Sequence, residues 1–220
     1  MDDPQRLKIT LYYLLALAIA IPVHEYAHAR SAVSYGDRTP ERDGRLTLLP
    51  WHHFDPLGAV MCVLTALSGF GLGWGRPVLV NPLNFRNPHW DSVKCAAWGP
   101  LSNLLLATGT AALLRTMIAT GRMPDVGLVA FLLIFMVVNL SLMLFNLIPI
   151  YPLDGSKILA GFLPERIASD YMKFMSQFGV LILLGLVFFG QQLGVFDLLI
   201  GEPRDMLLSW LLPEWFGADE

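Results

Sequence analysis

The chain has little charge. Asp, Glu, Lys and Arg make up 15% of its 220 residues, against about 25% in a soluble domain. That is too little to cover a water-facing surface, so much of the surface is read as facing lipid. A positive excess is also missing. The net charge is −3, which leaves no basic field for nucleic acid. Cysteine is scarce, and Cys62 and Cys95 both stand in apolar settings. They read as small buried hydrophobes, not as a disulfide framework or a four-thiolate zinc site. No internal repeat and no low-complexity tract interrupts the chain. The first apolar run lacks a small-residue cleavage pattern and carries ionisable groups, so it reads as a retained membrane helix.

What the chain has instead is apolar length. It is 55% hydrophobic, with a mean hydropathy of +0.53. Four segments are long enough to span a bilayer core, which needs about 20 helical residues. They are Leu7–Val33, Val93–Ala119, Val126–Ile148 and Phe174–Leu193. A fifth apolar stretch, Leu57–Leu72, is shorter and runs into the glycines of "SGFGLGWG". Between the first two spans lies a Pro/Gly/Arg-rich region, Ser34–Asp91. It holds two pieces that read as short edge strands, Arg45–Pro50 and Arg76–Pro82. The tail after Gly201 reads as an interfacial helix with boundary tryptophans.

The first span ends in "IPVHEYAHAR", Ile21–Arg30. Histidines at i and i+4 lie on one helix face, one turn apart. That separation suits two corners of a zinc tetrahedron. Glu25, next to the first histidine, is placed to act as general base and then as proton donor to a leaving amine. A bare H-E-x-x-H match arises by chance in soluble chains. Inside a span each charged group costs on the order of 2.5–3.5 kcal/mol, which makes a zinc-spaced cluster there a metal-site candidate.

Zinc needs a third protein ligand and, for catalysis, an open fourth position. "NLIPIYPLDG", Asn146–Gly155, closes the third span and carries Asp154. Pro149 and Pro152 break the helix just ahead of it. Broken backbone at membrane depth is tolerated where it is buried in protein or lines a wet cavity. The competing reading makes Asp154 an N-cap for a helix Ser156–Leu163.

At these residues the chain resembles the site-2 protease family of intramembrane zinc metalloproteases. "HEYAH" is similar to the family's H-E-x-x-H, "GPLSN" (Gly99–Asn103) to its small-residue motif, and "NLIPIYPLDG" to its N-x-x-P-x-x-x-L-D-G. "GDRTPERDGRLTLLPWHHFDPLG" and "GWGRPVLVNP" resemble the compact bacterial and archaeal branch. Tyr151 departs from the pattern, standing where many members have proline. The resemblance implies zinc held by His24, His28 and Asp154, one ion per chain, with Glu25 as catalytic base. It implies that Asn146 lies near the site, against the substrate carbonyl. Asn103 packs helices through a hydrogen bond or contacts substrate. His53 lines a water path or substrate groove, or is an interfacial histidine. No soluble stretch is long enough for a PDZ-like or CBS-like domain.

The fold expected is an all-α polytopic membrane protein, one intramembrane metalloprotease domain over residues 1–220. About four transmembrane helices surround a three-helix catalytic core, with a re-entrant segment and short membrane-associated β-strands. The core takes in about residues 7–164, and the last span and tail about 174–220. The metal adds a constraint of parity. His24, His28 and Asp154 lie at the C-terminal ends of spans one and three, so those helices run in the same direction with one return crossing between them. Leu57–Leu72 therefore cannot cross, and is re-entrant or shallow. With that arrangement, 10 of the 15 lysines and arginines fall on the site's side. The site is then expected to open toward the cytoplasm of a multi-pass protein of the cell membrane.

The partners expected are the lipid bilayer and a transmembrane protein substrate, cut in or near its membrane segment by regulated intramembrane proteolysis. The sequence leaves the oligomeric state open. A non-proteolytic zinc-binding scaffold or sensor is the alternative, against which the intact base and ligands weigh. A prenyl-protein protease is a third reading. The L-D-G motif, with no downstream glutamate-bearing ligand motif, weighs against that one.

Overall fold

A computed structural model describes residues 4–68, 73–122, 125–190 and 192–212. The helices in it are α1 (Pro4–Tyr35), α2 (Thr39–Arg42), α3 (Pro56–Ser68), α4 (Pro88–Ala119), α5 (Val126–Leu147), α6 (Asp154–Phe162), α7 (Glu165–Gly190) and α8 (Glu202–Leu211). Four of them, α1, α4, α5 and α7, are long and apolar enough to cross a membrane. The four expected spans fall on these helices, the fourth running past the end of α7 at Gly190. α7 begins well before Phe174 because its polar first turns continue the helix.

Local signals start the helices. Asn87 accepts from the Trp90 N–H at 3.3 Å, and the Asp91 carboxylate returns to the Asn87 N–H at 2.9 Å. This reciprocal cap, with Pro88 at the first helical position, opens α4. Asp125 opens α5 by accepting from the N–H groups of Gly127 and Leu128. Asp55 accepts from Gly58 N–H at 2.9 Å at the start of α3.

α1, α4 and α5 pack on one another, and α6 packs on α4. Small residues let them approach. Ala16 and Ala20 of α1 meet Phe135 and Val138 of α5. Ala107 and Ala111 of α4 meet Met136 and Leu140. The contacts fix the directions. Tyr12 stacks edge-on against Phe131, and twelve residues further along α1, His24 reaches Asp154 beyond the end of α5. The two helices therefore run parallel. α4 runs the other way, with Cys95 beside His28 and Asn103 beside His24. This is the direction pattern that a shared metal site would demand.

Three expectations need correcting. The two short strands do not form. Among the described residues the β pairing is an isolated antiparallel bridge, Phe54 to Gly75. Pro50, Pro77 and Pro82 remove donors, and side chains take up the backbone instead. The Asn81 N–H goes to Asp37 at 2.7 Å and the Val78 N–H to Glu25 at 3.0 Å.

A re-entrant turn is not seen among the described residues either. Leu57–Leu72 supplies one short helix, α3, which lies along α1, where Arg6 donates to the Leu67 carbonyl at 3.0 Å. Residues 69–72 lie outside the described residues. Finally, the tail is more than interfacial. Leu208 of α8 and Leu212 just after it are buried against α4 and α5, while Trp210 stays exposed. Residues 213–220 lie outside the described residues.

Candidate metal centre

The i and i+4 spacing in α1 brings the His24 and His28 Nε2 atoms within 3.1 Å of each other. Oδ2 of Asp154 lies 3.2 Å from His24 Nε2 and 3.1 Å from His28 Nε2. All three side chains are buried. Ligand atoms about 2.0 Å from a tetrahedral ion stand about 3.3 Å apart. Three electron-pair donors converging at nearly that spacing, away from water, fit a zinc-type cation. No other group of three or more His, Cys, Asp and Glu side chains converges in this way among the described residues.

Fixed acceptors set both imidazole tautomers. Asn139 Nδ2 donates to the Phe135 carbonyl at 2.8 Å, and a carbonyl can only accept. Asn139 Oδ1 is thereby turned to accept from Asn103 Nδ2 at 2.9 Å. Asn103 Oδ1 is then left to accept from His24 Nδ1–H at 2.7 Å. His28 Nδ1–H donates to the Cys95 carbonyl at 2.8 Å. Each ring therefore presents a bare Nε2 to the centre. Holding a histidine ligand through its far nitrogen fixes its orientation and raises its basicity.

Gly99 makes room for the pair. A Cβ there would stand 2.6 Å from His24 Cε1 and 2.5 Å from His28 Cε1, and would overlap His28 Nε2. Each helix also carries a proline at this depth, Pro22 in α1 and Pro100 in α4, which removes one internal hydrogen bond from each.

Asp154 is the first residue of α6. The cap position is Leu153, without a side-chain bond, so the capping reading does not apply. Its Oδ2 faces the histidines, and its Oδ1 lies 3.8 Å from Lys157 Nζ. Gly155 allows α6 to sit on the end of α5, since a Cβ would overlap the Leu147 carbonyl. On the other side, a Gly179 Cβ would stand 2.5 Å from the Tyr151 carbonyl. The turn before Asp154 is thus held between α5 and α7.

Glu25 is half-buried. Its Oε2 accepts from the Val78 N–H at 3.0 Å. Three further residues are expected at the site, Asn146, Asn103 and His53. Asn146 lies in the last turn of α5, and its amide donates to the Leu142 carbonyl at 2.9 Å. Asn103 is wholly buried with both ends of its amide engaged, by His24 and by Asn139. His53 is wholly buried too. Its Nε2–H donates to the Thr47 carbonyl at 2.7 Å. Burial, with the nearby Arg45 charge, holds its pKa below the usual histidine range, and the Thr47 bond opposes this only in part.

Sequence reasoning passed over Asn139 and Arg45. Asn139 had a signal, an amide alone inside the apolar run of α5. Arg45 had none among the other arginines of its region.

Four membrane-length helices around a buried His–His–Asp set define a multi-pass membrane protein with a candidate catalytic metal centre. Comparison with known proteins agrees. The model of peptidase family M50 matches residues 115–186, a stretch that includes Asp154. "Putative zinc metalloprotease YwhC" of Bacillus subtilis (strain 168) is 35% identical over 209 residues, covering 92% of each chain. "Putative zinc metalloprotease Rip2" of Mycolicibacterium smegmatis is 31% identical over 153 residues, 65% of this chain and 55% of that one. No solved structure matches the chain. The chain belongs to peptidase family M50, the site-2 protease family of membrane metalloproteases.

Proposed function

We propose that this chain is one intramembrane zinc metalloendopeptidase unit, holding one zinc ion. It would hydrolyse a peptide bond in or near a transmembrane segment of a membrane-protein substrate, as in regulated intramembrane proteolysis. The observation that carries the reading is the convergence of His24, His28 and Asp154 beside Glu25 on a membrane-length helix. The names of both relatives agree with it.

His24, His28 and Asp154 would hold the ion, which when bound polarises the scissile carbonyl and acidifies water. Glu25 takes the proton from the attacking water and delivers it to the leaving nitrogen. Val78 N–H holds the carboxylate in place meanwhile. The Nδ1 contacts of the histidines keep both rings oriented through the cycle.

A helical substrate hides its carbonyls in internal bonds, so it must unwind locally. Val78–Val80, next to Glu25, is the stretch against which the unwound backbone would lie. Asn146, at the end of α5, would meet the substrate carbonyl by releasing Leu142. The bias of lysine and arginine supports a site opening to the cytoplasm from the cell membrane.

Glu25→Gln tests the reading. The variant should keep its zinc and lose cleavage of a model transmembrane substrate. Cleavage at the parent rate would remove Glu25 from the chemistry.

A further inference from the structure

Arg45 is buried, with 4% of its surface exposed, and its Nε has no hydrogen-bond partner among the described residues. A cation held at that desolvation cost needs a return. Its other nitrogens are aimed at one short piece of backbone. Nη2 donates to the Arg76 carbonyl, and Nη1 to the Pro77 carbonyl at 3.4 Å. Nη2 also lies 3.4 Å from His53 Nδ1. His53 Nε2 carries the ring proton, because it donates to the Thr47 carbonyl. Nδ1 is therefore an acceptor, and Arg45 donates to it.

The polar backbone atoms from Arg76 N to Val78 N are then accounted for in order. The Arg76 N–H goes to the His53 carbonyl at 2.6 Å. The Arg76 carbonyl goes to Arg45. Pro77 has no N–H, and its carbonyl goes to Arg45. The Val78 N–H is left pointing at Glu25 Oε2, 3.0 Å away. Gly75 lets this strap cross α1, since a Cβ there would stand 2.6 Å from Ile21 Cγ2.

We propose that Arg45 is a positioning residue for the Glu25 carboxylate, acting through the strap Arg76–Val78, with His53 orienting the guanidinium. This rests on Glu25 being the base. Arg45 touches neither the metal ligands nor Glu25 by any hydrogen bond. Its planar fork holds two carbonyls and an imidazole at once, which a lysine ammonium does not reproduce. Removing it frees the strap to drift and leaves the carboxylate without a fixed donor.

The test uses the full chain, zinc-loaded, in detergent with a model transmembrane substrate. Arg45→Gln should lower kcat roughly 10- to 100-fold, the usual cost of an outer-shell partner. KM and the zinc content should stay at the parent values. Val78→Pro, which deletes the N–H to Glu25, should lose a similar factor. The double variant should be no worse than either single one, because both act on the same contact. Should Val78→Pro fail to hold zinc, hydrogen exchange of the Val78 amide in Arg45→Gln decides in its place. Faster exchange than the parent supports the assignment.

In Arg45→Gln a parent-like kcat, zinc lost in step with activity, or unchanged Val78 exchange would each overturn it, as would losses that multiply in a zinc-loaded double variant. A parent chain without cleavage sinks the protease reading, and the Arg45 assignment with it. A cleaving parent with an equally active Arg45→Gln sinks only the latter.

Discussion

Nδ1 of His24 lies 2.7 Å from Oδ1 of Asn103, and both residues are buried. Through Asn103 the histidine is tied to Asn139 and to the Phe135 carbonyl of α5. Three helices thus share one hydrogen-bonded chain that ends on a candidate metal ligand. Polar groups inside a membrane bundle are costly, and here each has a partner.

Asn103→Ala should therefore weaken zinc binding by roughly 10- to 100-fold. The ring would lose the acceptor that fixes its tautomer. Asn139→Ala should act in the same direction and less strongly, since Asn103 would keep its bond to His24. Competition for zinc with a chelator, followed by metal content, measures both. If Asn103→Ala holds zinc as tightly as the parent, the tie to His24 has no bearing on the metal.

Gly99→Ala separates packing at the site from helix preference. In an exposed helix the change stabilises by about 1 kcal/mol. At Gly99 the new methyl would meet the rings of His24 and His28 at 2.6 and 2.5 Å. The expected result is a loss of zinc and of cleavage in a chain that still folds as a helical bundle. Metal content, read beside circular dichroism, checks this. A variant with parent zinc content would mean that α4 can move away from the histidines.

The site was more legible in the sequence than the region around it. His24 and His28 at i and i+4 state their own geometry, because helix periodicity fixes it. Asp154 stands out as an acid where Pro149 and Pro152 break a span, and the parity of the crossings follows from its meeting the histidines at one point. Val126–Ile148 reads as a span from composition alone. Arg45 and His53 did not declare their role. It depends on how a proline-rich stretch crosses α1, which no local period encodes. The strands failed for the same reason. Residues 76–81 have strand-like composition, but the partners that claim their N–H groups are Glu25 and Asp37, side chains far away in sequence. Composition indicates that such backbone needs partners, and only the fold decides which.

Asp37 gives the last prediction. It is wholly buried after the end of α1. It accepts from the Thr39 N–H and hydroxyl, the Asn81 N–H and Asn84 Nδ2, all between 2.6 and 3.0 Å. Burial alone would raise its pKa, but the donors outweigh burial and hold the carboxyl below its ordinary value. The unfolded value is about 3.9. The stabilisation from Asp37 is therefore complete above about pH 5, and is lost as the pH falls through the lower folded value. Asp37→Asn keeps the shape and drops the charge, so it should cost about 1–3 kcal/mol at neutral pH and flatten the acid side of the stability curve. Thermal unfolding in detergent between pH 3 and pH 7 reads both effects. Because Asp37 anchors Asn81 at the far end of the Val78 segment, the variant should also raise hydrogen exchange across residues 78–81. Parent-like exchange there would show that Arg45 and His53 hold the segment without it.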